Sequence, residues 1–340
     1  MDRFLRCCLL LVLPLAIGCT FDSSEEVVVY AALDREFSEP ILERFTRETS
    51  LHALPKYDLE SAKTVGLTSA IVAEAGRPRC DVFWNNEILN TLRLQEQGLL
   101  EAYQSPAAAG FPEGYRDPQG YWQGFAARAR ILIVNRKLVP ETERPKSIYD
   151  LLNPKWKGKI GIAKPLFGTT ATHAACLFAA WGDARAKDFF ERLKANDVQI
   201  MSGNKQVALA ASSGEIAFGL TDTDDALGEI AKARPVEIVY PDRGEGELGT
   251  LFIPNTLGIV KGCRHPEAAR RLVDFLLSPA VEEALALSPS GQIPLNPAVD
   301  VMLRVETPRT VQAMEVDFAA AAKKWDAVAR FLREEFMAPR

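Results

Sequence analysis

The sequence is poor in the residues and motifs on which many enzymes and metal centres depend. Only three histidines occur among its 340 residues, and they are widely separated at His52, His173 and His265. No nucleophile elbow, phosphate-binding loop or HExxH motif is present. We therefore expect each histidine to be structural and the chain not to be an enzyme, although paired carboxylates could serve acid–base catalysis.

Cysteine, basic charge and long apolar runs are limited as well. Beyond residue 19 only Cys80, Cys176 and Cys263 occur, at spacings that exclude a disulfide framework, so we expect small buried residues with at most one pair bridged. The 40 lysines and arginines are outnumbered by 45 aspartates and glutamates and form no basic cluster, which excludes nucleic acid as a partner. No run of about 18 apolar residues predicts a membrane-spanning helix.

The N-terminus contains a short apolar segment behind two basic residues. Arg3 and Arg6 precede "CCLLLVLPLAIG", and a polar stretch follows Cys19. This pattern is typical of a secretory signal. The ending "AIGC" resembles a bacterial lipobox, which implies that residues 1–18 are removed and that Cys19 is lipidated; ordinary secretion is the alternative. Residues 19–25 would then be a tether, holding the protein by its lipid to the periplasmic or extracellular face of a membrane in the cell envelope.

The rest of the chain alternates short apolar strands with helical patterns. This βαβα order predicts an α/β fold with mixed, mostly parallel sheets flanked by helices. Two such series are joined by two long strands, "AARARILIVN" going and "LFIPNTLGIV" returning, which predicts two lobes with a ligand cleft between them. We assign 26–127 plus 254–300 to lobe 1 and 128–253 to lobe 2. Residues 301–340 are predicted to form a C-terminal helical segment, from about Thr307, that packs on the lobes.

Three aspartates crowd together in the stretch "LTDTDDALGE". Asp222, Asp224 and Asp225 follow the predicted strand "IAFGL" directly. Like charges this close repel, and burying them is costly unless a cation, hydrogen-bond donors or water compensate. They could therefore form part of a binding site. Alternatively they could form a solvated turn, in which Asp225 caps a helix that begins at Ala226.

Several stretches together resemble the solute-binding lipoproteins of bacterial ABC importers, in the branch that contains ferric-ion-binding and phosphonate-binding periplasmic proteins. The most specific are "NPKWKGKIG" and "GNKQVALAASSGEIAFGL", and "CDVFWNNE" and "GYWQGFAARARILIVN" agree with them. The resemblance covers essentially the whole chain after the N-terminal segment. It implies a two-lobe, type II periplasmic-binding fold that closes on its ligand, in a monomer that works with an ABC permease and its ATPase.

The resemblance also implies where a ligand would bind. In the ferric-ion binders a histidine, a glutamate and two adjacent tyrosines hold iron. The matching positions here are Asp34, Asn86, Asp224 and Asp225, so all four ligands are replaced. Carboxylates are still hard oxygen donors, and Fe³⁺ held by Asp34, Asp224 and Asp225 as the transported ligand is therefore an alternative.

An anion site beside the iron in the same family is retained. Gly168, Thr169 and Thr170 stand at the start of a predicted helix, and Asn204 opens another. A helix N-terminus offers unpaired N–H groups and a positive dipole end, which favour an anion. Thr169 or Thr170 could instead simply cap its helix.

These residues together predict a small anionic solute with a phosphate or phosphonate group. Its head would bind the helix N-termini, while Asp222 and its two neighbours would accept hydrogen bonds from hydroxyls or an ammonium group. Arg128 and Arg130 lie on the connecting strand; we expect one to face the cleft and include Arg128 in the site, the alternative being an exposed face. No cofactor is expected. A further alternative is a membrane-anchored ligand sensor.

Overall fold

The structure is a computed structural model that describes residues 26–58 and 64–338. The predicted signal peptide, the lipidation of Cys19 and the tether lie outside the described residues. Within this part of the chain the fold is α/β, with strands and helices alternating along most of the sequence. Among the described residues, none of the helices has both the length and the apolar character needed to cross a bilayer.

Ten strands form the sheet, and ten α-helices surround it in the described residues. The strands are β1 (Glu26–Ala31), β2 (His52–Tyr57), β3 (Val82–Asn85), β4 (Leu100–Glu101), β5 (Gln123–Asn135), β6 (Ile160–Ala163), β7 (Gln199–Met201), β8 (Phe218–Asp222), β9 (Val236–Val239) and β10 (Phe252–Val260). The helices are α1 (Arg35–Thr49), α2 (Val65–Ala73), α3 (Leu89–Glu96), α4 (Gly168–Trp181), α5 (Asp183–Ala195), α6 (Asn204–Ser213), α7 (Thr223–Ala231), α8 (Pro266–Leu276), α9 (Pro279–Leu287) and α10 (Phe318–Phe331). Short 3₁₀ turns lie between β4 and β6, and a π-helical turn follows α10 at Leu332–Phe336.

The sheet has two parallel groups of strands joined by two antiparallel ones. Its strand order is β2-β1-β3-β10-β5-β8-β6-β7, with β4 beside β10 and β9 beside β5. Pairing is parallel among β1, β2 and β3 and among β6, β7 and β8. It is antiparallel wherever β5 or β10 takes part. The sheet is therefore mixed, because β10 runs antiparallel to β3, β5 runs antiparallel to β8, and the two long strands are antiparallel to each other.

Strand β5 passes from one group to the other and is buried along its whole length. Residues 123–129 pair with β10, and residues 130–135 pair with β8 and β9. The change of partners lies beside the predicted boundary of lobes 1 and 2 at 127/128. The exact lobe bounds remain a prediction.

An irregularity in β5 just before this change of partners is held by a buried carboxylate. Ala126 has a φ of 43°, in the left-handed region, and the register with β10 shifts between Ile253 and Asn255. Glu282 of α9, which is 1% exposed, accepts the Ala126 N–H at 2.6 Å. It also accepts the N–H groups of Leu295 and Asn296. Glu282 therefore links the bulge to α9 and to the segment that follows it.

Strand β2 forms one end of the sheet and contains a proline. Pro55 lies opposite Val29 of β1, and the pairing continues on both sides of it. Its neighbour Lys56 places its ammonium group 4.3 Å from the centre of the Tyr30 ring. Proline has no N–H to donate, so within sheets it is confined largely to edge strands such as this one.

The C-terminal helix begins later than predicted. The described chain has no helix over residues 301–317, whereas we expected one from about Thr307. Pro308 disfavours a helical conformation at Thr307. Helix α10 starts at Phe318, where the Asp317 side chain accepts the Ala320 N–H as an N-cap, and it packs against α4 and α3.

The three cysteines among the described residues are free thiols, without the bridge that we left open. Cys80 and Cys176 are buried, as expected, and Cys263 is partly buried. Burial raises the pKa of the Cys263 thiol to about 11 and that of the other two further. All three are therefore protonated and unreactive at neutral pH.

Candidate functional site

All ten residues predicted to bind a ligand line one small cavity. They are Asp34, Asn86, Arg128, Gly168, Thr169, Thr170, Asn204, Asp222, Asp224 and Asp225. Most follow the carboxyl ends of strands from both parallel groups, which explains why they meet although they are far apart in sequence. That they bind a ligand remains a prediction. The cavity has a volume of about 20 Å³, room for about one water molecule.

Four helices begin at this cavity without a capping side chain. They are α1 at Arg35, α4 at Gly168, α6 at Asn204 and α7 at Thr223. The first N–H groups of a helix have no intrahelical acceptor, and the helix dipole is positive at this end. The four helix starts therefore contribute positive potential to the cavity.

Gly168 is the glycine whose conformation matters here. Its φ is 59°, and no atom lies within 4 Å of the position that a Cβ would take. The left-handed backbone, rather than lack of space, therefore requires glycine at this position. It turns the chain after Phe167 so that α4 starts facing the cavity.

Helix α7 begins three residues earlier than the turn hypothesis required. Its first residue is Thr223 and its N-cap residue is Asp222, so Asp224 and Asp225 lie in the first turn. The expectation that Asp225 caps a helix beginning at Ala226 was therefore wrong. Asp222 and Asp224 are buried and Asp225 is half-buried, which also argues against a solvated turn.

Asp222 is held by a fully buried arginine below the cavity. Arg130 Nη1 donates to Asp222 Oδ1 at 2.7 Å, and the Thr169 hydroxyl and the Asn204 amide donate to Oδ2 at 2.5 and 2.9 Å. Burial alone would raise the pKa of Asp222, but Arg130 and Arg128 outweigh it and hold the pKa below its usual value. Asp222 is therefore ionised, and its oxygens are engaged within the protein.

The same arginine organises the first turn of α4. Arg130 Nη1 and Nη2 donate to the hydroxyls of Thr169 and Thr170 at 3.2 and 3.1 Å. The Thr170 hydroxyl in turn donates to Asn204 Oδ1 at 3.0 Å. Neither threonine caps α4, whose N-cap is Phe167, so that alternative is wrong. Their side chains instead belong to a hydrogen-bond network that links α4, α6 and β8 beneath the cavity.

Arg128 joins the two sides of the cavity. Its Nη1 donates to Asp224 Oδ2 at 3.0 Å, and its Nη2 donates to the backbone oxygen of Asn86, next to β3. Burial works to lower the pKa of Arg128, but the carboxylates of Asp224, Asp222 and Asp34 outweigh it and raise the pKa. For Asp224 burial is the dominant influence and raises the pKa, with Arg128 opposing it.

Three polar atoms at this site have no hydrogen-bond partner among the described residues. They are Nε of Arg128, Nε of Arg130 and Oδ1 of Asn86, and their residues are 3%, 0% and 2% exposed. A buried polar group without a partner is costly and rare in folded proteins. The site therefore retains hydrogen-bonding capacity that the protein itself does not use.

Of the two arginines, Arg128 lines the cavity, whereas Arg130 is fully buried below it. Side chains two apart on a strand point to the same face, so Arg128 and Arg130 both turn toward the site. Sequence reasoning missed Glu87, which is fully buried. It accepts the Leu89 and Asn90 N–H groups at the start of α3 and the Thr172 hydroxyl of α4. The sequence offered one indication of its role, because Glu87 directly follows the predicted site residue Asn86.

His173 lies on α4 behind this network, and its protonation is predicted to destabilise the fold. Burial first, and then Arg130, lower the pKa of His173 to about 3. In the unfolded chain the pKa is about 6.5, so only the unfolded state gains a proton as the pH falls below 6.5. The free energy of unfolding should therefore fall by about 1.6 kcal/mol from this group alone between pH 6.5 and 5.

The measurement is urea unfolding at both pH values, for the unaltered protein and for His173→Asn, which cannot be protonated in this range. The variant should lose this part of the pH dependence. His52→Asn, at an exposed position, is the matched control and should retain it. An equal pH dependence in all three proteins would contradict the prediction.

Comparison with known proteins adds three findings. A family model described as "Bacterial extracellular solute-binding protein" matches residues 90–321. The major ferric iron-binding protein of Neisseria meningitidis serogroup A is 24% identical over 321 residues, which cover 92% of this chain and 94% of the relative. A putative 2-aminoethylphosphonate-binding periplasmic protein of Salmonella typhi is 27% identical over 190 residues, 55% of this chain and 54% of the relative.

One solved structure combines this fold with a phosphorylated ligand. The periplasmic binding protein AfuA from Actinobacillus pleuropneumoniae, with exogenous fructose-6-phosphate bound, superimposes with a TM-score of 0.80 at 25% identity. The match covers 92% of this chain and 99% of AfuA. The predicted fold class, a two-lobe type II periplasmic-binding fold, is confirmed by this likeness.

Proposed function

This chain belongs to the family of bacterial extracellular solute-binding proteins, and we propose that it captures a small solute bearing a phosphate or phosphonate group. The prediction of a solute-binding protein of an ABC importer is confirmed by this membership. The proposal concerns the identity of the solute and the residues that bind it.

The proposal rests on one observation: the buried guanidinium of Arg128 and the uncapped N-termini of two helices meet at the same cavity. Arg128 is 3% exposed, lines the cavity and has an Nε without a partner among the described residues. The first N–H groups of α4, from Gly168, and of α6, from Asn204, begin at the same cavity. A guanidinium group and helix N-termini are the groups that proteins use to bind phosphate oxygens.

Because of the charges around the cavity, the ligand needs hydrogen-bond donors as well as an anionic group. Four carboxylates line it, from Asp34, Asp222, Asp224 and Asp225, against the guanidinium of Arg128 and that of Arg130 below. A bare dianion would meet a net negative site. A ligand with hydroxyls or an ammonium group beside its phosphate could instead exchange partners with the Arg128–Asp224 pair. The phosphate would then accept from the arginine, and the aspartate would accept from the other end of the ligand.

Two of the relatives support this class of solute. The AfuA structure holds fructose-6-phosphate, which has hydroxyls beside its phosphate, and the Salmonella relative is named for 2-aminoethylphosphonate, which has an ammonium group. The cavity of about 20 Å³ is far smaller than the roughly 300 Å³ at the low end of ligand pockets. Binding therefore requires the two lobes to separate and to close again around the solute.

Calorimetric titration of the purified protein with 2-aminoethylphosphonate, fructose 6-phosphate and inorganic phosphate tests the proposal. At least one of the two organic ligands should bind with a micromolar or lower dissociation constant. Four or five charge-assisted hydrogen bonds at about 1.5 to 3 kcal/mol each are sufficient for this after ordering costs. Inorganic phosphate should bind at least roughly tenfold more weakly, because it leaves the aspartates without donors.

Arg128→Met should weaken the binding of the organic ligand, and Arg136→Met, at an exposed position of the same residue type, should not. The proposal would be overturned if neither organic ligand bound, or if inorganic phosphate bound as tightly as they do.

Ferric iron is the second candidate solute. The carboxylate oxygens of Asp222, Asp224 and Asp225 lie within 4.8 Å of one another, and Asp34 lines the same cavity. The Neisseria relative is named for ferric iron. A visible charge-transfer band with ferric salts that disappears on changing Asp224 and Asp225 to alanine would favour iron over the organic solute.

Five further properties belong to the proposal. The protein should act without turnover of its solute, as a monomer, with its lobes bounded as predicted from sequence. It should be anchored by lipid at Cys19, with a permease and its ATPase as partners. Unchanged ligand after prolonged incubation would agree with a role that is not enzymatic. A membrane-anchored sensor would instead pass ligand binding to a signalling partner.

A further inference from the structure

Three aspartates beside the cavity bring carboxylate oxygens close together, and those of Asp222 also accept hydrogen bonds from Arg130 and Thr169. The carboxylate oxygens of Asp222, Asp224 and Asp225 lie within 4.8 Å of one another, and Asp34 lines the same cavity from the loop between β1 and α1. Hard divalent and trivalent cations prefer carboxylate and carbonyl oxygens. Asn86 lines the cavity too; the residue is 2% exposed, and its side-chain oxygen has no hydrogen-bond partner among the described residues.

A protein cation already contacts this acidic cluster. The guanidinium of Arg128 donates to Asp224 Oδ2 at 3.0 Å and to the backbone oxygen of Asn86. The ion pair is almost fully buried, with 4% and 7% of the two side chains exposed. Asp222 and Asp34 also lie close enough to stabilise the charged form of Arg128. The guanidinium therefore supplies part of the positive charge that these carboxylates require.

We propose that Arg128 is the resident cation of the acidic cluster and the specificity-determining residue that excludes metal ions from the cleft. The inference rests on the proposed function, because it explains how a site rich in carboxylates is directed toward a solute with an anionic group. A metal ion would need the Asp224 oxygen that Arg128 holds. It would also meet the arginine's charge at short range in a buried site, where like charges repel strongly.

Removal of this charge should turn the cluster into a metal site. The test is titration with Tb³⁺, a trivalent ion that prefers oxygen ligands, in phosphate-free buffer. The proteins compared are the unaltered chain, Arg128→Met and Arg128→Lys. Arg128→Met should bind Tb³⁺ at one site at least tenfold more tightly than the unaltered protein. Arg128→Lys keeps a cation at this position and should bind as weakly as the unaltered protein.

Two further variants test whether any gain comes from this cluster. The double variant Arg128→Met/Asp224→Asn should lose the gain, because it removes a carboxylate from the cluster. Arg136→Met removes an exposed arginine and should leave Tb³⁺ binding unchanged. A folded Arg128→Met protein with no increase in affinity, or a gain that survives Asp224→Asn, would overturn the inference.

Tb³⁺ provides a second readout if Arg128→Met does not fold by itself. An ion that binds only the folded state stabilises that state by mass action. Tb³⁺ should then restore the circular dichroism spectrum of the folded protein to the variant. No restoration would count against the inference. Its failure is also distinct from failure of the proposed function, which is read from phosphate and phosphonate titrations of the unaltered protein.

Discussion

Replacing Arg130 by methionine is expected to lower the free energy of unfolding by about 3 to 5 kcal/mol. Arg130 is fully buried, and its guanidinium holds the buried carboxylate of Asp222 at 2.7 Å. Methionine fills much of the same space but supplies no charge, so Asp222 would remain as an uncompensated buried carboxylate. The hydroxyls of Thr169 and Thr170 would lose a donor as well. Urea unfolding followed by circular dichroism measures the loss.

Two variants separate the effect of charge from that of volume. Arg136→Met makes the same replacement at an exposed position and should change stability by less than about 0.5 kcal/mol. Arg130→Met/Asp222→Asn removes both charges and should recover part of the loss, because no unpaired carboxylate is then buried. A loss below about 1 kcal/mol for Arg130→Met would show that Asp222 does not depend on this arginine.

The second large effect is expected at Glu282, away from the cavity. Its carboxylate accepts the N–H groups of Ala126, Leu295 and Asn296. Glu282→Leu would leave three buried donors without an acceptor, at about 1 to 3 kcal/mol each. We therefore expect a loss of at least about 3 kcal/mol in the free energy of unfolding, measured by urea unfolding. Because the Ala126 bulge lies where β5 changes partners, solute affinity should fall as well.

The neighbouring residue supplies the control for this prediction. Glu283 is exposed, and Glu283→Leu should have little effect on either stability or affinity. Glu282→Gln keeps one side-chain oxygen as an acceptor and should lie between the two. Equal stability of Glu282→Leu and Glu283→Leu would show that other groups or water satisfy the three donors.

The members of the cavity could be predicted from sequence because they occupy the ligand and anion positions that the family resemblance implies. Asp34, Asn86 and Asp222 each lie at or just after the end of a strand, and such ends meet at one edge of a parallel group. Gly168 stands at the start of a predicted helix, where the same resemblance implies an anion site. The fold then brings these positions together.

The pairing of charges within the cavity could not be predicted in the same way. Arg128 and Asp224 are 96 positions apart, and Arg130 and Asp222 are 92 apart. Their contacts follow from the register between β5 and β8, in which Arg130 lies opposite Asp222. No local pattern fixes that register. The sequence therefore suggested aspartates open to a solute, whereas the structure shows two of them engaged by arginines.

Pro55 and Lys56 lie on β2, the last strand at one end of the sheet in the described part of the chain, and they bear on how the protein associates with itself. An open sheet edge is a template on which another chain can add a strand and begin aggregation, and proline and lysine are residues that discourage this. The pairing with β1 continues past Pro55, so the proline is tolerated within the sheet. At this rim of the molecule, concentrated protein should resist strand-by-strand association.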